Sequence, residues 1–124
     1  MTSYDQSFDP PAPIAKIILR NVKTGERVKD VSVFLDTGAD ISLLPLAVIT
    51  QLQIKPSNES VNLLGFDESK SLSELYLLQV IFLGKRLTGE YCAIADEIGI
   101  LGRDVLNQFS ITFDGKNLEW KEQE

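Results

Sequence analysis

The apolar and polar positions along this chain alternate in short runs broken by tight turns, a pattern that predicts strands rather than long helices. Residues 14–22 (IAKIILRNV) and 27–36 (RVKDVSVFLD) read as two strands joined by the turn Lys23-Thr24-Gly25-Glu26. In the second, Val31, Val33 and Leu35 fall on one face and Asp30, Ser32 and Phe34 on the other, the period-two signature of a half-buried strand. Pro45 suits a first helical position, and Leu46, Ile49 and Leu52 follow at spacings of three, so residues 46–52 are predicted as a short helix. Residues 60–66 and 72–83 form an expected second hairpin around the polar tip 67–71, followed by strands at 86–95 and 98–101. Residues 102–108 have the look of a second short helix, with Asp104 early, where the helix dipole favours a carboxylate. Strands at 110–113 and 118–121 then close the chain as a hairpin. The fold class expected is all-β with one or two short helices.

At 124 residues the chain has the length of one domain, able to bury roughly two thirds of its unfolded surface. Hydrophobic residues at 44% and charged residues at 24% exclude a disordered chain and a disulfide scaffold. Twelve Lys and Arg against 18 Asp and Glu give a net charge of −6, which argues against a face able to neutralise a run of phosphates. No nucleic-acid partner is expected. The single cysteine, Cys92, reads as a buried inert thiol, and histidine is absent from the sequence. Zinc sites of the Cys/His type, Ser-His-Asp triads and Cys-His dyads are thereby excluded, and neither a metal nor a cofactor is expected. The longest apolar run, residues 75–83, is interrupted by Gln79 and is far short of the ~18 to 20 residues that span a bilayer, so no membrane partner is expected either. Residues 1–13 carry Asp5, Asp9, Pro10, Pro11 and Pro13 and no basic residue, and read as a flexible acidic leader rather than a secretory signal. The expected organisation is therefore a leader over 1–13, one domain over 14–121 and a tail over 122–124, in a cytoplasmic setting.

Any catalysis in such a chain rests on carboxylates, lysines, hydroxyls or backbone. The segment that stands out is residues 33–45, VFLDTGADISLLP. Three apolar residues deliver Asp36-Thr37-Gly38 to the end of a buried strand, and Gly38 permits a tight turn there. Asp-Thr-Gly taken alone is also what an ordinary turn uses. Its surroundings narrow the reading: an apolar run precedes it, Ala39-Asp40 follows it, and Ile100-Leu101-Gly102-Arg103-Asp104 lies downstream with a hairpin between.

These segments, in this order and across residues 14–113, resemble the retroviral-type aspartic proteases, the retropepsins. The resemblance implies an acid-protease fold whose subunit is a partly closed β-barrel with a flap hairpin. It implies an aspartic endopeptidase that hydrolyses peptide bonds with water activated between two carboxylates. Because the chain holds one Asp-Thr-Gly, the second carboxylate must be the Asp36 of another copy, and a homodimer becomes a condition of activity. The catalytic group implied is Asp36, Thr37 and Gly38, with Thr37 bonding across the dimer axis. Ala39, Asp40, Ile41, Leu64, Gly65, Phe66 and Ile100 are the implied contacts of a polypeptide bound as an extended strand. Gly102 and Arg103 are implied structural supports, Arg103 by pairing with Asp40. Many relatives carry a hydroxyl where Ala39 stands, so the resemblance implies a less acidic optimum than theirs.

The flap segment departs from the viral pattern, since residues 63–71 hold a single glycine, Gly65, and a charged stretch. Past Phe113 the chain turns to Leu118, so its terminal strands are expected to fold back on their own chain, leaving the dimer to rest on helix and active-site contacts. The rival reading is a dimeric peptide-binding or scaffold module that keeps the fold with little or no catalysis.

Overall fold

A computed structural model describes residues 1–64 and 70–123, with side chains described outside 58–73. Strands β2 (Ile14–Arg20) and β3 (Arg27–Leu35) pair antiparallel, with Ile14 opposite Phe34 and Arg20 opposite Arg27. The expected alternation holds: Val31, Val33 and Leu35 are buried, while Ser32 and Phe34 are half-buried and Asp30 is exposed on the other face. The turn between the strands is built on Asn21, a buried amide. Its Oδ1 accepts from the Lys23 N–H at 2.9 Å and its Nδ2 donates to the Leu52 carbonyl at 2.9 Å, so it fastens the turn to the helix end. A buried amide left without these partners would cost about 1 to 3 kcal/mol.

Strand β4 (Leu43–Pro45) leads straight into helix α1 (Leu46–Gln51). Pro45 ends β4 and caps the helix instead of occupying its first turn, and Ile49 and Leu52 face the core while Leu46 stays 40% exposed. Strands β5 (Pro56–Leu64), β6 (Lys70–Phe82) and β7 (Lys85–Ile94) form an antiparallel meander. Leu83 and Gly84, both at positive φ, make the tight turn between the last two. Strand β8 (Gly99–Leu101) is followed by helix α2 (Arg103–Leu106).

The sheet runs β2-β3-β8-β4-β7-β6-β5, and a further pairing of β2 with β6 closes it. A closed barrel of six strands results, with β5 outside the ring, paired to the long β6. Strand β4 was not foreseen. Three residues carry no readable alternation, and this segment becomes a strand only because β7 lies parallel to it and β8 antiparallel. Inside the barrel sit Ile17, Leu19, Val33, Leu78, Val80 and Phe82, each at most 2% exposed. Each such side chain contributes about 1.5 to 3 kcal/mol of burial. Cys92 is fully buried too.

The two ends of the chain form a sheet of their own. Strands β9 (Ile111–Asp114) and β10 (Glu119–Glu122) make the expected closing hairpin, and β1 (Thr2–Ser3) adds to the far side of β10. The fold-back of the terminal strands is thus observed. Residues 1–13, which composition alone reads as a mobile leader, are tied down. Thr2 pairs with Trp120, the Tyr4 N–H donates to the Leu118 carbonyl at 2.7 Å, and Asp5 and Ala12 exchange backbone bonds of 2.7 and 3.1 Å. The edge of β10 supplies the partners of Thr2 and Ser3, and no local composition reveals such an edge. Trp120 is buried: its Nε1 donates to the Ile14 carbonyl at 3.2 Å and its ring lies 6.1 Å from that of Phe82.

Two outcomes follow. A Cβ on Gly99 would lie 2.6 Å from the Leu43 carbonyl oxygen and 3.0 Å from Pro45 Cδ, so Gly99→Ala should force β8 and β4 apart. A loss of roughly 1 to 3 kcal/mol is expected in urea unfolding, read as a lower midpoint. The Tyr91 hydroxyl, donating to the Leu87 carbonyl at 3.0 Å, is pushed up to about 12, first by burial and then by the nearby Asp104 charge. The unfolded chain ionises this phenol near its ordinary 10.0, so its contribution is full below that pH and is lost as pH rises toward 12. Tyr91→Phe should make the alkaline decline in unfolding free energy shallower.

Candidate active site

Asp36 is the first residue past β3, and the way that strand ends determines how its carboxylate is presented. β3 and β8 lie parallel, with Val33 beside Gly99, Phe34 beside Ile100 and Leu35 beside Leu101. The Asp36 N–H continues this ladder by donating to the Leu101 carbonyl at 3.0 Å. The chain then turns: the Ala39 N–H donates to the Asp36 carbonyl at 3.2 Å, and the Gly38 N–H donates to Asp36 Oδ1 at 2.9 Å. The carboxylate is half-buried and oriented by its own loop. A Cβ at Gly38 would sit 3.1 Å from Asp36 Oδ1, so a side chain there would press on the carboxylate and shift it.

Residues 102–104 clamp the loop from the other side. The Arg103 N–H donates to the Ala39 carbonyl at 2.8 Å, and Arg103 Nη1 donates to the Thr37 carbonyl at 2.7 Å. At Gly102, a Cβ would lie 2.8 to 2.9 Å from backbone atoms of Ala39 and Ile41, so any larger residue would lever the two segments apart. The supporting role implied for Gly102 and Arg103 thus has a physical basis, but the partner of Arg103 differs from the one expected. Among the described residues Arg103 forms no ion pair with Asp40, which is exposed. An exposed ion pair is worth little in water, and the guanidinium is instead placed within hydrogen-bond reach of the Thr37 carbonyl.

Sequence reasoning missed Ser42. It is fully buried, its Oγ accepts from the Gly102 N–H at 2.9 Å and donates to Asp104 Oδ1 at 2.6 Å, and its N–H donates to Asp104 Oδ2 at 3.0 Å. Asp104, expected to serve the helix dipole, is held by Ser42. The available signal was a lone hydroxyl in the apolar run Ile41-Ser42-Leu43-Leu44, since a polar group there must find a partner.

The structure therefore gathers Asp36, Thr37, Gly38, Ala39, Asp40 and Ile41 on one loop, with Gly102 and Arg103 behind it. Ile100 is half-buried beside Phe34 and opposite Leu43. Gly65, Phe66 and the side chain of Leu64, the expected flap contacts, lie outside the described residues. Thr37 is exposed, and among the described residues its hydroxyl has no partner within the chain. Two concavities of about 440 and 450 Å³ lie away from Asp36, one at the termini around Trp120 and one beside Asn21 and Ile54. Among the described residues no group of three or more acidic, Cys or His side chains could hold a metal ion, and no helix is long and apolar enough to cross a membrane. One carboxylate oriented by backbone can accept a proton or polarise a water. Alone it cannot do both halves of an amide hydrolysis.

No family model matches the chain, and no curated protein matches it. Among solved structures the chain is similar to the protease of EIAV complexed with the inhibitor HBY-793, at 20% identity, with 78% of this chain and 86% of that one covered and a TM-score of 0.55. That likeness is one of fold: the chain has a retropepsin-like, all-β architecture.

Ser42→Ala should leave the buried Gly102 N–H without its acceptor and Asp104 Oδ1 without its donor, while the backbone bond to Asp104 Oδ2 remains. A loss of about 1 to 3 kcal/mol in chemical denaturation is expected, with increased hydrogen exchange at Gly102 and Arg103.

Proposed function

We propose that the protein is an aspartic endopeptidase, active as a homodimer in which two Asp36 carboxylates activate one water between them. The observation that carries this reading is the Asp36 carboxylate itself, half-exposed at the end of a buried strand and held at 2.9 Å by the Gly38 N–H, within a retropepsin-like fold. Two carboxylates brought within about 3 Å cannot both ionise, so they share a proton. The ionised one takes a proton from water as that water attacks the peptide carbonyl carbon. The protonated one gives its proton to the carbonyl oxygen, and the pair then returns a proton to the leaving amine. No cofactor is needed.

Homodimerisation is supported by the same arithmetic, one Asp-Thr-Gly per chain, and by the exposed Thr37 hydroxyl, which is left for a partner. The substrate is a polypeptide in extended conformation, with Ala39, Asp40, Ile41 and Ile100 beside it. A cytoplasmic setting belongs to the same proposal. One observation favours a second reading, a dimeric peptide-binding module with weak or no catalysis: β1, β10 and β9 pair within one chain, so the terminal segments already have partners and the association of two copies rests on less surface.

Cleavage of a mixed peptide library at several protein concentrations decides between the two. Wild type should cut with specific activity that rises with concentration, and Asp36→Asn should cut slower by roughly 10²- to 10⁴-fold while dimerising equally well. Peptide binding without cleavage by either protein would select the binding module. Ala39→Ser should add a hydroxyl that favours the ionised carboxylate and move the pH optimum to lower pH, and an unchanged profile would remove the role given to Ala39.

A further inference from the structure

The segment before the barrel brings an aromatic ring to the face that carries Asp36. Along β3 the core-facing positions are Val31, Val33 and Leu35, so Phe34 shares the opposite face with the position of Asp36, two residues on. Across the sheet Phe34 stands beside Ile100 on one side and opposite Ile14 on the other. Phe8 packs edge-on against the Phe34 ring, with centroids 5.0 Å apart and planes at 65°. Both rings are half-buried, so the pair keeps an accessible surface.

Phe8 does not reach this place by chance collapse. The loop that carries it is closed at its base by the Asp5–Ala12 backbone pair, and the Asp5 carboxylate accepts from the Ser7 N–H at 2.9 Å and the Ser7 hydroxyl at 2.6 Å. Below the base, the Tyr4 N–H is bonded to Leu118, and above it the Pro13 carbonyl accepts from the Leu35 N–H at 3.0 Å. The loop is fastened to the barrel one residue from the catalytic loop. An aromatic pair of this geometry adds about 0.5 to 1.5 kcal/mol beyond its area, enough to bias a short loop toward one placement.

We propose that Phe8 is a specificity-determining residue: with Phe34 and Ile100 it forms an apolar wall of the substrate cleft beside Asp36 and limits the size of the side chain accepted next to the cut bond. This rests on the endopeptidase reading above and goes beyond it, because it assigns a selective role to residues 5–12. The chemistry selected is a small or medium apolar side chain, since an aromatic ring on the wall narrows the space available to another ring.

The test uses the full chain and a set of peptides that differ only in the residue next to the cut bond, Ala, Leu, Phe or naphthylalanine, with wild type, Phe8→Leu and Phe8→Ala compared. The ratio of kcat/KM for the bulky peptides to that for the Ala peptide should rise about tenfold or more in Phe8→Ala, with Phe8→Leu between. A merely structural role would lower kcat/KM for all peptides together, and that result, or an unchanged ratio, overturns the proposal while the endopeptidase reading stands. Should wild type cut none of them, that reading fails. Binding of the same peptides by calorimetry then decides the wall alone: a size preference that shifts in Phe8→Ala upholds it, and no shift or no binding ends it.

Discussion

Everything around the candidate site depends on how the loop after β3 is held against the segment after β8. The two strands lie parallel, so their carboxyl ends emerge side by side, and a loop leaving each would ordinarily diverge. Here they are fastened by a buried hydroxyl: Ser42 takes the Gly102 N–H and gives its own proton to Asp104, whose other oxygen takes the Ser42 N–H. The Ser42 hydroxyl and the Gly102 N–H are buried, and either would be costly if left alone. With that knot closed, Gly102 can lie against Ala39 and Ile41, and Arg103 can reach the Thr37 carbonyl. The Asp36 carboxylate is then aimed by backbone alone.

The barrel explains why the knot can be rigid. Closure of β2 onto β6 gives the β2 edge a partner and surrounds Val33, Val80 and Phe82 with apolar neighbours. β3 and β8, which deliver the two halves of the site, run inside this closed ring and cannot splay. The loop bearing Phe8 sits outside this ring, where a change of residue leaves the core untouched.

The terminal sheet settles a different matter. By pairing β1, β10 and β9 within one chain, the protein uses its own end segments to cover Trp120 and Ile14. The subunit gains a finished surface at that end.

Much of this was legible in the order of residues. Alternation in Val31, Val33 and Leu35 announced a half-buried strand, and turn chemistry at Lys23–Glu26 and Asp114–Asn117 marked the hairpins. Asp36-Thr37-Gly38 with Ile100 to Asp104 downstream was enough to indicate the fold, because a local period and a rigid turn leave a trace in consecutive residues. What the sequence could not state were relations between distant segments. β4 exists because β7 and β8 flank it, Thr2 and Ser3 are tied down because β10 has an edge to offer, and Arg103 serves Thr37 rather than Asp40 because the loop turns a carbonyl toward it. The sequence by itself determined which side chains must be buried and where the chain must turn. Only the tertiary structure decided which polar groups meet, since a hydrogen bond between residues 42 and 104 depends on the path of everything between them.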